Sequence, residues 1–67
     1  MTKYQHRGII DTLGELTKLT GMEHGYRSES NMFLLTVDGR TVGNPIRGVG
    51  AFTTYLNNLW MYQNAIS

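Results

Sequence analysis

The stretch that decides the fold of this chain is Ala51–Ser67, AFTTYLNNLWMYQNAIS. At 100° per residue it has one apolar face, with Phe52, Leu56, Leu59, Gln63 and Ile66 at its centre, Tyr55 and Tyr62 on one edge, and Trp60 on the other. Four of the chain's seven aromatic residues lie here, and aromatic side chains bury the most apolar area. The pattern predicts an amphipathic C-terminal helix around which the core is built.

The opposite face of this helix carries no charge. Neither acidic nor basic residues occur from Gly48 onward, and the face consists of Thr53, Thr54, Asn57, Asn58, Met61 and Asn64. A helix face that only meets water usually carries charges, whereas interfaces are depleted in charge and enriched in Met and Tyr. We therefore predict a partner-binding surface; the alternative is a neutral solvent face. The predicted contact residues are Thr54, Asn57, Asn58 and Met61.

Residues 31–46 carry the strongest local signal, because NMFLLTV and RTVGNPI flank the dipeptide Asp38-Gly39. Asp-Gly between two β-prone runs is typical of a type I′ hairpin turn, in which both central residues need positive φ. Such a turn fixes the strand register. The predicted facing pairs are Val37 with Arg40, Leu35 with Val42, and Phe33 with Asn44. Proline has no N–H, so Pro45 limits the second strand to an edge or to its end.

Residues 2–20 predict a first helix with Ile9, Leu13 and Leu16 on one face. Thr2 and Gln5 have the spacing of a capping box, and Gly21 stands where a glycine would end the helix. Two glycines and three threonines inside this stretch weaken the helix. An extended conformation for part of it stays open.

Residues 21–27 alternate in character, with Met22, His24 and Tyr26 between more polar neighbours, which favours a short edge strand followed by a turn at 28–31. The fold class predicted is α+β: a small antiparallel sheet of two or three strands, with a central hairpin, packed by an N-terminal and a C-terminal helix. The predicted core is Ile9, Leu13, Leu16, Phe33, Leu35, Val37, Phe52, Leu56, Leu59 and Trp60.

Sixty-seven residues without cysteine predict a single domain, 1–67, with modest stability and no disulfide or thiolate site. Six basic and five acidic side chains give a net charge of +1 without clustering of either sign. No stretch approaches the roughly 18 apolar residues that a membrane span needs. We expect a soluble, cytoplasmic protein that binds neither a membrane nor a cofactor.

Chemistry-bearing patterns are sparse. Arg47-Gly48-Val49-Gly50 before the last helix could hold an anion on backbone N–H groups, or it could be a loop in which glycine supplies positive φ. His6 and His24 have no recognised metal-ligand spacing, and no pair of carboxylates is placed for acid–base work. We predict a protein that is not an enzyme and has no metal site.

Two functional hypotheses remain open. The first is a small non-catalytic protein-interaction module that binds another protein and forms a homo-oligomer through the C-terminal helix. The alternative is a nucleic-acid-binding module that uses the hairpin with Arg27, Arg40 and Arg47 and the glycines Gly48 and Gly50. In size, lack of cysteine and lack of catalytic residues the chain is similar to small accessory proteins of phages and mobile elements, including inhibitors of host systems. That likeness is one of type only.

Overall fold

The computed structural model describes residues 3–66, and side chains from His6 to Ile66. The elements are α1 (Lys3–Thr20), β1 (His24–Glu29), β2 (Met32–Val37), β3 (Arg40–Arg47) and α2 (Val49–Ile66). The predicted capping box of Thr2 and Gln5 falls outside the described residues and side chains. Gly21, with φ of 75°, ends α1 as predicted, and its N–H donates to the Thr17 carbonyl at 2.9 Å.

The strands form one antiparallel sheet in the order β1-β2-β3. Both helices pack on one face of it, α1 against β1 and α2 against β2 and β3. Short connections join α1 to β1 and β3 to α2, so each helix runs opposite to its neighbouring strand. Because β1 and β3 are both antiparallel to β2, they point the same way, and so do the helices. The predicted α+β class is confirmed, with three strands.

Two-residue turns join the strands. Ser30 and Asn31 have φ of 51° and 62°, and Asp38 and Gly39 have φ of 53° and 82°. Positive φ at both central residues is the type I′ pattern, which confirms the prediction for Asp38-Gly39. The preceding turn occupies only Ser30-Asn31, because β1 continues to Glu29. The predicted edge strand is therefore present but shifted along the chain.

The register of β2 with β3 agrees with prediction next to the turn and departs from it further along. Val37 pairs with Arg40 and Leu35 with Val42, but Phe33 pairs with Ile46, so the predicted partner Asn44 is wrong. An irregularity between Phe33 and Leu35 inserts extra residues into β3, and Gly43 has φ of 74° at that point. Glycine accommodates such a bulge.

The core is one cluster of seven buried side chains contributed by α1, β2 and α2: Ile9, Leu13, Leu16, Phe33, Leu35, Phe52 and Leu56. Within it, the Phe33 and Phe52 rings stack with centroids 5.3 Å apart. Val37 and Leu59 are only partly buried. Trp60 was predicted to be buried and Ile66 to lie on the buried face, and both predictions are wrong, since these side chains are 38% and 60% exposed.

The lengths of the elements explain this error. At about 1.5 Å per residue the 18 residues of α2 span about 27 Å, whereas the six residues of β2 span about 20 Å. The sheet therefore cannot cover the whole helix. Since α2 starts beside the end of β3, roughly its last five residues remain uncovered, which accounts for Ile66, whereas Trp60 is exposed because it lines the side of α2 that faces α1.

Candidate interaction surface

Large exposed apolar side chains gather at one end of the molecule. This end holds the last turns of α2, the α1–β1 connection and the β2–β3 turn. Six of the seven large apolar residues that are exposed within the described chain lie here. We call them the apolar end: Met22, Val42, Trp60, Met61, Tyr62 and Ile66.

The C-terminal half of α2 forms most of this surface. Met61, Tyr62 and Ile66 are 62%, 61% and 60% exposed. At 100° per residue these three side chains lie on an arc of about 140° around the helix, whereas Trp60 lies on the other side of α2, about 160° from Tyr62. Large apolar side chains exposed side by side often mark a binding surface.

A groove with a volume of about 710 Å³ lies between α1 and α2 on one side of this surface. Trp60 and Asn57 line it from α2, and Ile10, Gly14 and three charged residues line it from α1. Within the described chain the one ion pair is the exposed contact of Lys18 with Glu15 at 3.8 Å. The groove thus combines an aromatic side chain with a charged rim, an arrangement common in interfaces.

The four predicted contact residues are all exposed and share the face of α2 that points away from the sheet: Thr54, Asn57, Asn58 and Met61. Tyr62, Ile66 and Trp60 are surface residues that helical periodicity does not identify, because it assigns them to the buried face or its edges. For Tyr62 and Ile66, the signal that could have found them is the length of the helix relative to the strands.

The structure does not bring the three arginines together. Arg27 and Arg47 lie on the face of the sheet away from the helices, since they pair with Leu34 and Met32. Arg40 pairs with Val37 on the opposite face, at the β2–β3 turn. An arginine cluster that could follow a nucleic-acid backbone is therefore not formed by these three residues.

One backbone N–H group of the candidate anion loop is engaged by the protein itself. Gly48 has φ of 91°, its N–H donates to the Asn31 carbonyl at 2.9 Å, and its carbonyl accepts from Phe52 N–H at 3.1 Å. Gly50 lies within the first turn of α2. Gly48 thus has the positive φ that the loop alternative requires, and its N–H is not available to an anion.

The described residues hold neither a cluster placed to bind a metal ion nor a helix able to span a membrane. No three His, Asp or Glu side chains among them are placed to hold a metal ion. Neither helix, over the described range, has the length and hydropathy to cross a bilayer.

Comparison with family models, with curated proteins and with solved structures finds no match for this chain.

Proposed function

We propose that this protein is a small non-catalytic interaction module that binds another protein, or a second copy of itself, through the apolar end. The observation that carries the proposal is the exposure of Met61, Tyr62 and Ile66 at about 60% on a helix without charge. Burying such side chains is favourable by about 25 cal/mol per Å². A partner that covers this surface would gain most of its affinity there.

The polar residues beside the apolar end fit the same role. Asn57 and Asn58 can each donate and accept hydrogen bonds across an interface, and Tyr62 offers a ring with a polar tip. A surface of this kind needs no charged partner. It therefore suits a two-fold symmetric dimer, in which each residue near the axis meets its own copy.

Light scattering on the wild type and on charged variants tests this proposal. Met61→Lys and Asn58→Glu each place an unpaired charge in the contact, which costs several kcal/mol when buried. We expect both variants to lose the self-association or partner binding that the wild type shows. Circular dichroism should remain native, because both side chains lie outside the core.

Ala51→Glu is the matched control, since Ala51 is exposed on the same helix but in its first turn. It adds the same charge as Asn58→Glu and should leave association unchanged. A wild type that is monomeric at about 100 μM has no micromolar self-affinity. If lysate partners also bind both charged variants as well as the wild type, the apolar end is not the working surface.

The alternative proposal is nucleic-acid binding by the hairpin with Arg27, Arg40 and Arg47. Its support is that Arg27 and Arg47 share the sheet face that neither helix covers, with their Cα atoms about 12 Å apart, two strand spacings across and two residues along the strands. Binding to a random duplex or single strand should then fall steeply between about 50 and 200 mM salt. Salt-insensitive or absent binding removes this alternative.

A protein of this type requires no pocket or cofactor to act. An accessory or inhibitory protein of a phage or mobile element, which acts by occupying a surface of its target, is one role that fits such a module. The partner pull-down with wild type, Met61→Lys and Ala51→Glu in parallel separates specific targets from background. Only proteins that are lost with Met61→Lys and kept with Ala51→Glu qualify.

A further inference from the structure

The two edges of the sheet differ in how well they are protected against pairing. β3 carries Gly43 at an irregularity in its pairing and Pro45, which has no N–H. Bulges and prolines are devices that stop another strand from adding to an edge. β1 has neither, and its six residues pair without a break with β2. Only β1 therefore offers a regular edge.

Backbone groups on the outer side of β1 can be assigned from the ladder. The Asp38 N–H donates to the Glu23 carbonyl at 2.8 Å, so odd-numbered residues face β2 and even-numbered ones face outward. The outward N–H of His24 donates to Thr17 Oγ1 at 2.9 Å. The outward N–H groups of Tyr26 and Ser28 have no hydrogen-bond partner among residues 6–66. Unpaired main-chain groups thus follow directly after the hydrogen bond between His24 and Thr17, although the Tyr26 hydroxyl still contacts α1 through His6 Nδ1 at 2.7 Å.

A groove with a volume of about 860 Å³ runs beside this edge, between β1 and α1. Its lining includes His24 and Tyr26 from β1 and Ile10, Leu13 and Gly14 from α1. Ile10 is 47% exposed, and no other side chain fills the space around Gly14. The edge is therefore accessible and has an apolar wall.

Charge at one end of the groove is unbalanced. Glu23 and Asp38 line that end, and both are exposed. Asp38 Oδ1 accepts from the Glu23 N–H at 3.0 Å, but neither carboxylate pairs with a cation within the described residues, where Lys18 is taken by Glu15. An occupant with a basic residue at this end would complement the groove.

A second copy of this chain does not suit the edge. Paired strands lie about 4.8 Å apart, whereas packed helices need about 8–10 Å between their axes. Because α1 packs directly against β1, joining two copies through β1 would press the two α1 helices together. A bare extended segment meets no such obstacle.

We propose that the groove between α1 and β1 binds an extended segment of a partner protein as a fourth strand. The segment would exchange main-chain hydrogen bonds with Tyr26 and Ser28, place an apolar side chain against Ile10, and present a lysine or arginine to Glu23 and Asp38. This is strand addition at a sheet edge, in which the main chain supplies affinity and side-chain pockets supply specificity. It is independent of the apolar end.

Selection from a randomised twelve-residue peptide library provides the probe. Peptides selected on the wild type are then measured against Ser28→Pro and Ser28→Ala. The N–H of Ser28 points away from β2, so proline at this position removes an outward donor and leaves the hydrogen bonds between β1 and β2 intact, as is common in edge strands. Alanine keeps the donor and is the control. We expect a loss of about 3- to 10-fold in affinity with Ser28→Pro and none with Ser28→Ala.

Two further measurements do not depend on the proline variant folding. On the wild type, the selected peptides should slow amide hydrogen exchange at Tyr26 and Ser28. Asp38→Asn, which keeps the turn residue type and the hydrogen-bond acceptor, should weaken peptides with a terminal basic residue several-fold, and Glu29→Gln at the other end of β1 should not. The proposal is overturned if no peptide is selected, or if the selected peptides leave those two amides unprotected.

Discussion

Asp38 and Gly39 show how much of a hairpin two residues determine. Gly39 has φ of 82° and Asp38 has φ of 53°, and Asp38 also accepts the Glu23 N–H and donates its own to the Glu23 carbonyl. The turn therefore connects β2 to β3 and also holds the residue that precedes β1 by hydrogen bonds. A change at this position affects both the β2–β3 register and the start of β1.

Replacing Gly39 with valine should lower the free energy of unfolding by about 1 kcal/mol or more, because a β-branched residue resists positive φ. Chemical denaturation of the variant and the wild type measures the difference. No side chain would clash with a Cβ at this position, so the effect isolates the backbone. An unchanged midpoint would contradict the type I′ conformation.

Gly14 gives the opposite expectation. It lies inside α1, its Cβ position is free of neighbours within 4 Å, and its φ is not positive. Gly14→Ala should therefore stabilise the protein by about 0.5–1 kcal/mol through helix propensity. Thermal denaturation should show a raised midpoint. A lowered midpoint would mean that α1 is strained there or that its backbone is not helical.

Single residues also mark where sequence reasoning reached its limit. Positive φ was predictable at Gly39, because Asp-Gly between β-prone runs has few other uses. At Gly43 the same residue type creates an irregularity that moves the partner of Phe33 from Asn44 to Ile46. Counting outward from a turn assumes an unbroken ladder. A glycine within a strand is the signal that this assumption fails.

At the scale of elements, α2 combines two functions along one helix. Its first half packs Phe52 and Leu56 into the core, and its second half exposes Met61, Tyr62 and Ile66. Periodicity identified the buried direction of the helix correctly. Periodicity could not show how far the sheet extends beneath the helix, because that extent depends on strand length and on the residues at which β3 ends and α2 begins.

Leu56→Ala should destabilise the protein by about 2–5 kcal/mol, since Leu56 is fully buried and the change leaves a cavity. Met61→Ala, five residues further along the same helix, should change stability by no more than about 0.5 kcal/mol. Denaturant titrations of both variants measure the contrast. Equal effects would show that the second half of α2 is packed as well as the first.

At the scale of the whole molecule, the two proposed surfaces have different physical character. The apolar end is formed by the uncovered turns of α2 and the two connections beside it, and the α1–β1 groove presents unpaired main-chain groups next to acidic side chains. Sequence pattern indicated the first in part, through the absence of charge in α2. The groove required the register and the packing of α1, which no local pattern supplies.

Because the two surfaces differ in charge, binding at each should respond differently to salt. The chain has a net charge of +1 without clusters, and α2 contributes no charge to the apolar end. The affinity of association there should therefore change less than about twofold between 50 and 200 mM salt, because salt does not screen apolar burial. Peptides that bind the groove through Glu23 and Asp38 should weaken more over the same range. Titration calorimetry of each interaction at both salt concentrations makes the comparison, and a negative heat-capacity change should accompany association at the apolar end. If that association weakened steeply with salt, charged contacts rather than Met61, Tyr62 and Ile66 would dominate it, and Arg27, Arg40 and Arg47 would be the residues to test next.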